Sequence, residues 1–237
     1  LGPFPIRQDG QLARFELTYG WRNGLSAGIT GRYLETTIRP DFSFIPPEFE
    51  PDADLEIGTL GLKIDWDKRD DSDYPANGFR LSAQANQAQT LGGSEREYQT
   101  GNAILDGYRS FGPSSVLALR GVVCGASSGT PFFDKCSIGM TDNMRGFNST
   151  QFLGHRSVSV QAEFRQRFSK RLGGVAFAGS GWAGDTFDTL ADGGSHKAAG
   201  LGIRYRVSKK FPVDFSVDYS RNDLGDNQLY IYVGQRF

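Results

Sequence analysis

Long hydrophobic runs are missing from this 237-residue chain. Nowhere do 18 apolar residues follow one another, which excludes a transmembrane helix. The N-terminus also lacks a basic start followed by an apolar core, so no signal peptide is visible. Charge of one sign is missing too: the net charge of -1 gives no general electrostatic pull on nucleic acid. With only two His and two Cys, set apart along the chain, no metal cluster is implied and candidates for catalysis are few. Glycine-rich stretches lie inside strand patterns and precede no helix, so neither a phosphate loop nor a bound cofactor is expected. Two cysteines are also too few for a disulfide scaffold. Cys124 and Cys136 either form one bridge in an oxidising compartment or remain two free thiols. A bridge would staple the start of the loop that carries Arg145.

What is present is alternation. After a loop centred on Arg145, Gly146 and Phe147, residues 157–168 place Val158, Val160, Ala162, Phe164 and Phe168 on one face. Ser157, Ser159, Gln161, Glu163, Arg165 and Arg167 lie on the other. A period of two over a dozen residues is the strand signal. Six polar side chains on one face cannot be buried unpaired. A membrane barrel, with lipid outside and a polar lumen inside, suits both faces.

The same pattern recurs along the chain. Asp9-Gly10 reads as a tight hairpin turn between a short strand at 1–8 and one at 12–21. Further strands are expected at 25–38, 55–66, 79–91, 97–111, 115–125, 172–183, 197–207, 211–219 and 228–237. Four prolines mark 39–54 as a loop. Connections alternate between short and long, and aromatics such as Trp21, Trp66, Phe111, Phe168, Phe211 and Phe237 stand at strand ends, as in an interfacial girdle. The expected fold is all-β: one domain, residues 1–237, forming a closed antiparallel transmembrane β-barrel of about twelve strands. The even count puts both termini on one side. A soluble sandwich is the competing fold, disfavoured because soluble strands are shorter on average.

Three motifs, in order, resemble the Omp85 superfamily, the outer-membrane barrels of assembly and two-partner secretion proteins. The first is the turn with Asp67, Arg69, Asp70, Pro75 and Gly78, similar to that family's periplasmic turn. The second is Met144-Arg145-Gly146-Phe147, similar to its loop motif. The third is a last strand ending in Phe237, similar to its terminal assembly signal. The match covers roughly residues 55–237. It departs from the family in strand number, twelve against sixteen, and in showing no POTRA domain, so it implies a shortened barrel-only member or part of a larger protein.

The resemblance implies a bacterial-type outer-membrane location and a long extracellular loop, about 127–154, folded into the lumen. Arg145 is then expected to pair with Glu163. The family's second acid, on the following strand, is missing from Phe177-Ala178-Gly179-Ser180-Gly181-Trp182. His155-Arg156-Ser157 resembles the histidine and serine of an outer-membrane phospholipase. Parity turns both toward the lumen, where that enzyme needs them facing lipid, so no enzyme activity is expected.

The seam between first and last strands reads as weak. Pro3 and Pro5 cannot donate ladder hydrogen bonds, and Gly234 loosens the last strand before Phe237. Alternatively, residues 1–8 are a terminal tail. The implied partners are outer-membrane lipid, client barrel proteins and a second copy meeting at the seam; the implied role is membrane biogenesis or protein insertion. A passive pore, or the anchor of an N-terminal effector, is the alternative.

Overall fold

Alternating sequences of this length build one continuous sheet. The computed structural model describes residues 6–40, 53–92, 96–139, 143–207 and 213–237. The strands are β1 (Ile6–Gly20), β2 (Leu25–Pro40), β3 (Ala53–Asp67), β4 (Gly78–Thr90), β5 (Glu97–Phe111) and β6 (Ser115–Ala126). Two short strands inside the long loop, β7 (Cys136–Ser137) and β8 (Leu153–Gly154), pair with each other. Then come β9 (Arg156–Arg167), β10 (Leu172–Gly184), β11 (His196–Arg206), β12 (Asp214–Asn222) and β13 (Asn227–Val233). The main sheet has eleven strands in the order β1-β2-β3-β4-β5-β6-β9-β10-β11-β12-β13. Every neighbouring pair is antiparallel, as short sequential connections require.

The two faces of this sheet are the reverse of a soluble protein's. Ser157, Ser159, Gln161, Glu163 and Arg165 of β9 are buried, while Val160 and Phe164 between them are about half exposed. The same holds on β12, where Asp214, Ser216, Asp218 and Ser220 are buried and Phe215 and Tyr219 are exposed. Leu17, Leu60, Leu62, Leu201, Ile203, Leu229 and Ile231 extend the exposed apolar face along the sheet. An apolar surface this extensive needs lipid against it. No helix among the described residues is long and apolar enough to cross a membrane.

The sheet curls on itself. Residues after β13 reach back to β5 and β6, where Phe237 packs with Tyr108 and Ala118. The long loop after β6 fills the space inside, and the disulfide Cys124–Cys136 ties its start to β6, deciding the alternative left open above.

Several expectations are corrected. Asp9-Gly10 is no turn: the two residues pair with Thr37 and Thr36 inside an uninterrupted β1. The hairpin signal needs a strand on both sides, and the segment with Pro3 and Pro5 is a poor one; those two residues lie outside the described set, as does Phe211. The main sheet therefore has eleven described strands where twelve were expected. Ile6 stands at the end with the long loops, and Val233 stands at the end with the short turns, so the described termini lie on opposite sides. Eleven strands are joined by an even number of antiparallel steps, which makes β1 and β13 run in the same direction. The described residues show no pairing between them, so the sheet is not closed into the antiparallel barrel expected. The last strand also stops at Val233, short of Phe237. Gly234 has a φ of +97°, a left-handed conformation that ends the extended run and turns the chain inward.

Candidate functional site: a plugged lumen

Arg145 is held at the centre of the buried face. The loop enters from β6 through the disulfide and leaves through β8, so its middle is carried across the polar side of β9–β12. One nitrogen of its guanidinium, Nη2, lies 2.6 Å from Glu163 Oε2 on β9. Another, Nη1, donates to Asp218 Oδ2 on β12 at 2.6 Å, and Nε donates to Gln161 Oε1 at 2.9 Å. The plane of the group stacks 3.6 Å from the centre of the Phe177 ring on β10. Arg145 is 1% exposed, and Glu163 and Asp218 are 0% exposed. At such burial an unpaired charge is prohibitive, so the fork of donors matters as much as the charge.

The neighbours of Arg145 fix the rest of the loop. The Gly146 N–H donates to the Tyr230 hydroxyl at 2.8 Å, and Asn222 Nδ2 donates to the Gly146 carbonyl at 3.0 Å. Phe147 joins Ile138, Met144 and Ala198 in a small apolar cluster. Residues 172–183 are rich in glycine and alternate only weakly, and this packing explains why. A Cβ at Gly179 would meet Met144 Sδ at 2.9 Å, and one at Gly181 would meet Ile138 at 2.9 Å, so the plug packs directly on bare backbone. A further tether stands on the other side of the loop, where Asp134 accepts from Arg32 at 2.8 Å and from the Tyr98 hydroxyl at 2.6 Å.

The missing second acid is supplied from elsewhere. In its expected place β10 offers the Phe177 ring, and the carboxylate comes from Asp218, two strands further on. Asp218 also accepts from the Tyr232 hydroxyl at 2.6 Å and pairs with Arg204. Asp218 alternates with Val217 and Tyr219 and so belongs by parity to the polar face of its strand, but nothing local marks it as the partner of a loop arginine 73 residues earlier.

Arg165 joins this cluster to both remaining motifs. Its Nε donates to Glu163 at 2.7 Å, its Nη1 donates to the Pro75 carbonyl at 3.2 Å, and its Nη2 donates to the Phe237 carbonyl. The turn between β3 and β4 therefore folds against the lumen. Inside it Asp67 and Arg69 form a bidentate pair, with Nη2 to Oδ2 at 2.6 Å. Gly78, at φ +102°, stands where a Cβ would meet the Lys68 carbonyl at 2.1 Å. Phe237 is turned inward, buried under the Arg120 guanidinium at 4.8 Å, and does not share the lipid face of Leu229 and Ile231. Three expected sites thus meet at the pair Glu163–Arg165. His155, by contrast, sits at the rim with Nδ1 3.0 Å from Asp185, while Ser157 is buried. Among the described residues no group of three or more acids, His or Cys is arranged for a metal.

Asp70 stabilises the turn in a pH-dependent way. Burial works against its charge, but the backbone N–H groups of Ala76 and Asn77, at 2.9 and 3.0 Å, outweigh it and hold the carboxyl below its ordinary value. A depressed folded-state pKa gives stability that is complete above the unfolded value, about 4, and is lost as pH falls through the folded value. Hydrogen exchange at Ala76 and Asn77 is thus expected to accelerate below pH 4, beyond the intrinsic pH effect, and Asp70→Asn should abolish that step. An unchanged pH profile in the variant would contradict this assignment.

Polar and ionised groups sealed inside a curled sheet, with leucines and aromatics bare outside, define a membrane protein of the β-barrel class. The family follows from comparison. The Omp85 superfamily domain matches residues 10–237, and the chain belongs to that superfamily. It is a protein of the bacterial outer membrane. Among solved structures it resembles BamA from Haemophilus ducreyi lacking POTRA domains 1–3, with a TM-score of 0.67 and 14% identity. The resemblance covers 96% of this chain and 54% of that one, so the chain spans about half the length of this relative. No curated protein matches it.

Proposed function

We propose that this chain inserts client strands into the outer membrane at the free edge of β1. The observation that carries this is a mismatch between the two edges. β1 has fifteen residues and β13 has seven, so even full pairing leaves eight residues of β1 without a partner. Direct closure would also be parallel, the slightly weaker arrangement per residue. Unmade backbone bonds at membrane depth cost several kcal/mol each. An incoming antiparallel strand of about 9–11 residues is therefore a better partner for β1 than β13 is. Membership of the Omp85 superfamily and the likeness to BamA support the reading. The inward turn at Gly234, which shortens β13, supports it as well. The Arg145 plug favours this reading over an open pore.

The test is reconstitution. Liposomes carrying the chain should speed the folding of a urea-unfolded eight-stranded barrel over empty liposomes, with no large ion leak. Leak without acceleration would favour the passive pore. Acceleration that disappears as two copies associate edge to edge would mean that a second copy competes for β1.

A further inference from the structure

The lipid-facing side of β5, β6, β9, β10 and β11 carries a groove of about 1190 Å³. Its floor is made largely of small residues that lie side by side in the ladder, interrupted by Leu119. Gly107 pairs with Leu119, Leu119 with Ala162, Ala162 with Ala178, and Ala178 with Ala199. A Cβ at Gly107 or at Gly121 would meet nothing within 4 Å, so the floor stands open. Leu105 and Leu119 line it, each more than half exposed.

One end of the groove is cationic. Lys197 and Arg221 line it and are exposed, and among the described residues neither side chain has a hydrogen bond or an ion pair. The acid beside them, Asp223, accepts from the Lys197 backbone N–H at 2.9 Å and offsets one of the two cations, so this end carries one net positive charge. Ser180, also in the lining, has a buried hydroxyl without a partner. Arg221 faces Ala199 across the ladder, which puts Lys197 at its diagonal, about 7 Å away and suited to one shared anion.

Depth and charge specify the occupant. β11 starts after the loop at 185–195 and β12 ends at the turn 223–226, so both cations stand at the long-loop, extracellular end. From Lys197 the strand runs about 26 Å to exposed Tyr205, close to the height of an apolar band. On the opposite part of the sheet the extracellular rim carries exposed Glu35, Glu56 and Glu97. An anionic headgroup is therefore repelled at β2–β5, while at β11–β12 it meets the two cations alongside Asp223, with Asp185, Asp188, Asp192 and Asp226 exposed in the neighbouring loops.

We propose that the groove is a binding site for a phosphorylated, multiply acylated glycolipid of the outer leaflet. An acyl chain lies along Gly121, Ala162 and Ala178, and a phosphate sits between Lys197 and Arg221. The site is independent of the β1 edge and its clients. It is tested by native mass spectrometry of the detergent-solubilised chain, with hexa-acylated bisphosphoryl lipid A and the same lipid stripped of phosphate as probes. The wild type should prefer the phosphorylated form by roughly 5-fold, as one net surface cation allows. Lys197→Gln with Arg221→Gln should remove that preference, and Gly121→Leu should weaken both forms by filling the floor. Equal binding of the two lipids by the wild type means ordinary annular lipid and overturns the site. An unchanged preference in the double variant overturns it too, as does a dimer that the same substitutions dissolve. Undiminished binding to Gly121→Leu removes the acyl part of the proposal.

Discussion

Arg145→Ala is expected to release the plug and to cost about 1.5–3 kcal/mol of stability, the scale of lost charge-assisted hydrogen bonds. Both its acids, Glu163 and Asp218, are fully buried, so each loses a charge-assisted partner that water does not replace. Arg165 stays paired with Glu163 and Arg204 with Asp218, so the acids keep counter-ions and the loss falls on the loop's own anchor. The Phe177 ring also loses the cation stacked on it. The unfolding midpoint, read from the mobility shift between unheated and heated samples, should fall, and residues 143–154 should become open to protease. The disulfide and the Asp134 tether keep the base of the loop in place, so cleavage should concentrate beyond Ser137. Arg145→Lys should fall between the two, because an ammonium keeps the charge without the fork. A protected loop with an unchanged midpoint in the alanine variant would show that the cluster does not hold the plug.

Gly234→Val should have the second large effect, on the edge itself. A β-branched residue at φ +97° is strained by about 1–3 kcal/mol, so the chain should relax toward extended backbone. Extension would carry Gln235 and Phe237 out of the lumen. Gln235 would lose Asp214, 2.6 Å away, and Arg165 its Phe237 carbonyl. The lengthened β13 would be long enough to compete for β1, and client folding should slow several-fold. A faster reaction, or a spectroscopic probe at Phe237 still reporting burial, would contradict this.

Much of the fold is legible in the sequence because side chains alternate with the pleat, and parity alone assigns Glu163 and Asp218 to the buried face. The Arg145–Glu163 contact follows from a motif whose two halves lie on neighbouring elements. Asp218 escapes because its partner is distant in the chain and only the curl of the sheet brings them together. Phe237 escapes for another reason: parity puts it with Leu229 and Ile231, and a single left-handed residue reverses it. Asp9-Gly10 misleads because a two-residue turn signal says nothing of whether the upstream segment can pair. That error changes the strand count by one, and with it the relative direction of the two edges.

The central claim is that a client strand pairs with β1 in preference to β13. It is tested most directly by placing a photo-cross-linking phenylalanine derivative at Phe15, an exposed aromatic on β1, in the reconstituted chain. Irradiation during folding of the eight-stranded client should yield adducts with alternate residues of one client strand, in the order an antiparallel register sets. Adducts confined to the chain's own β13, while the client still folds at the accelerated rate, would contradict the account.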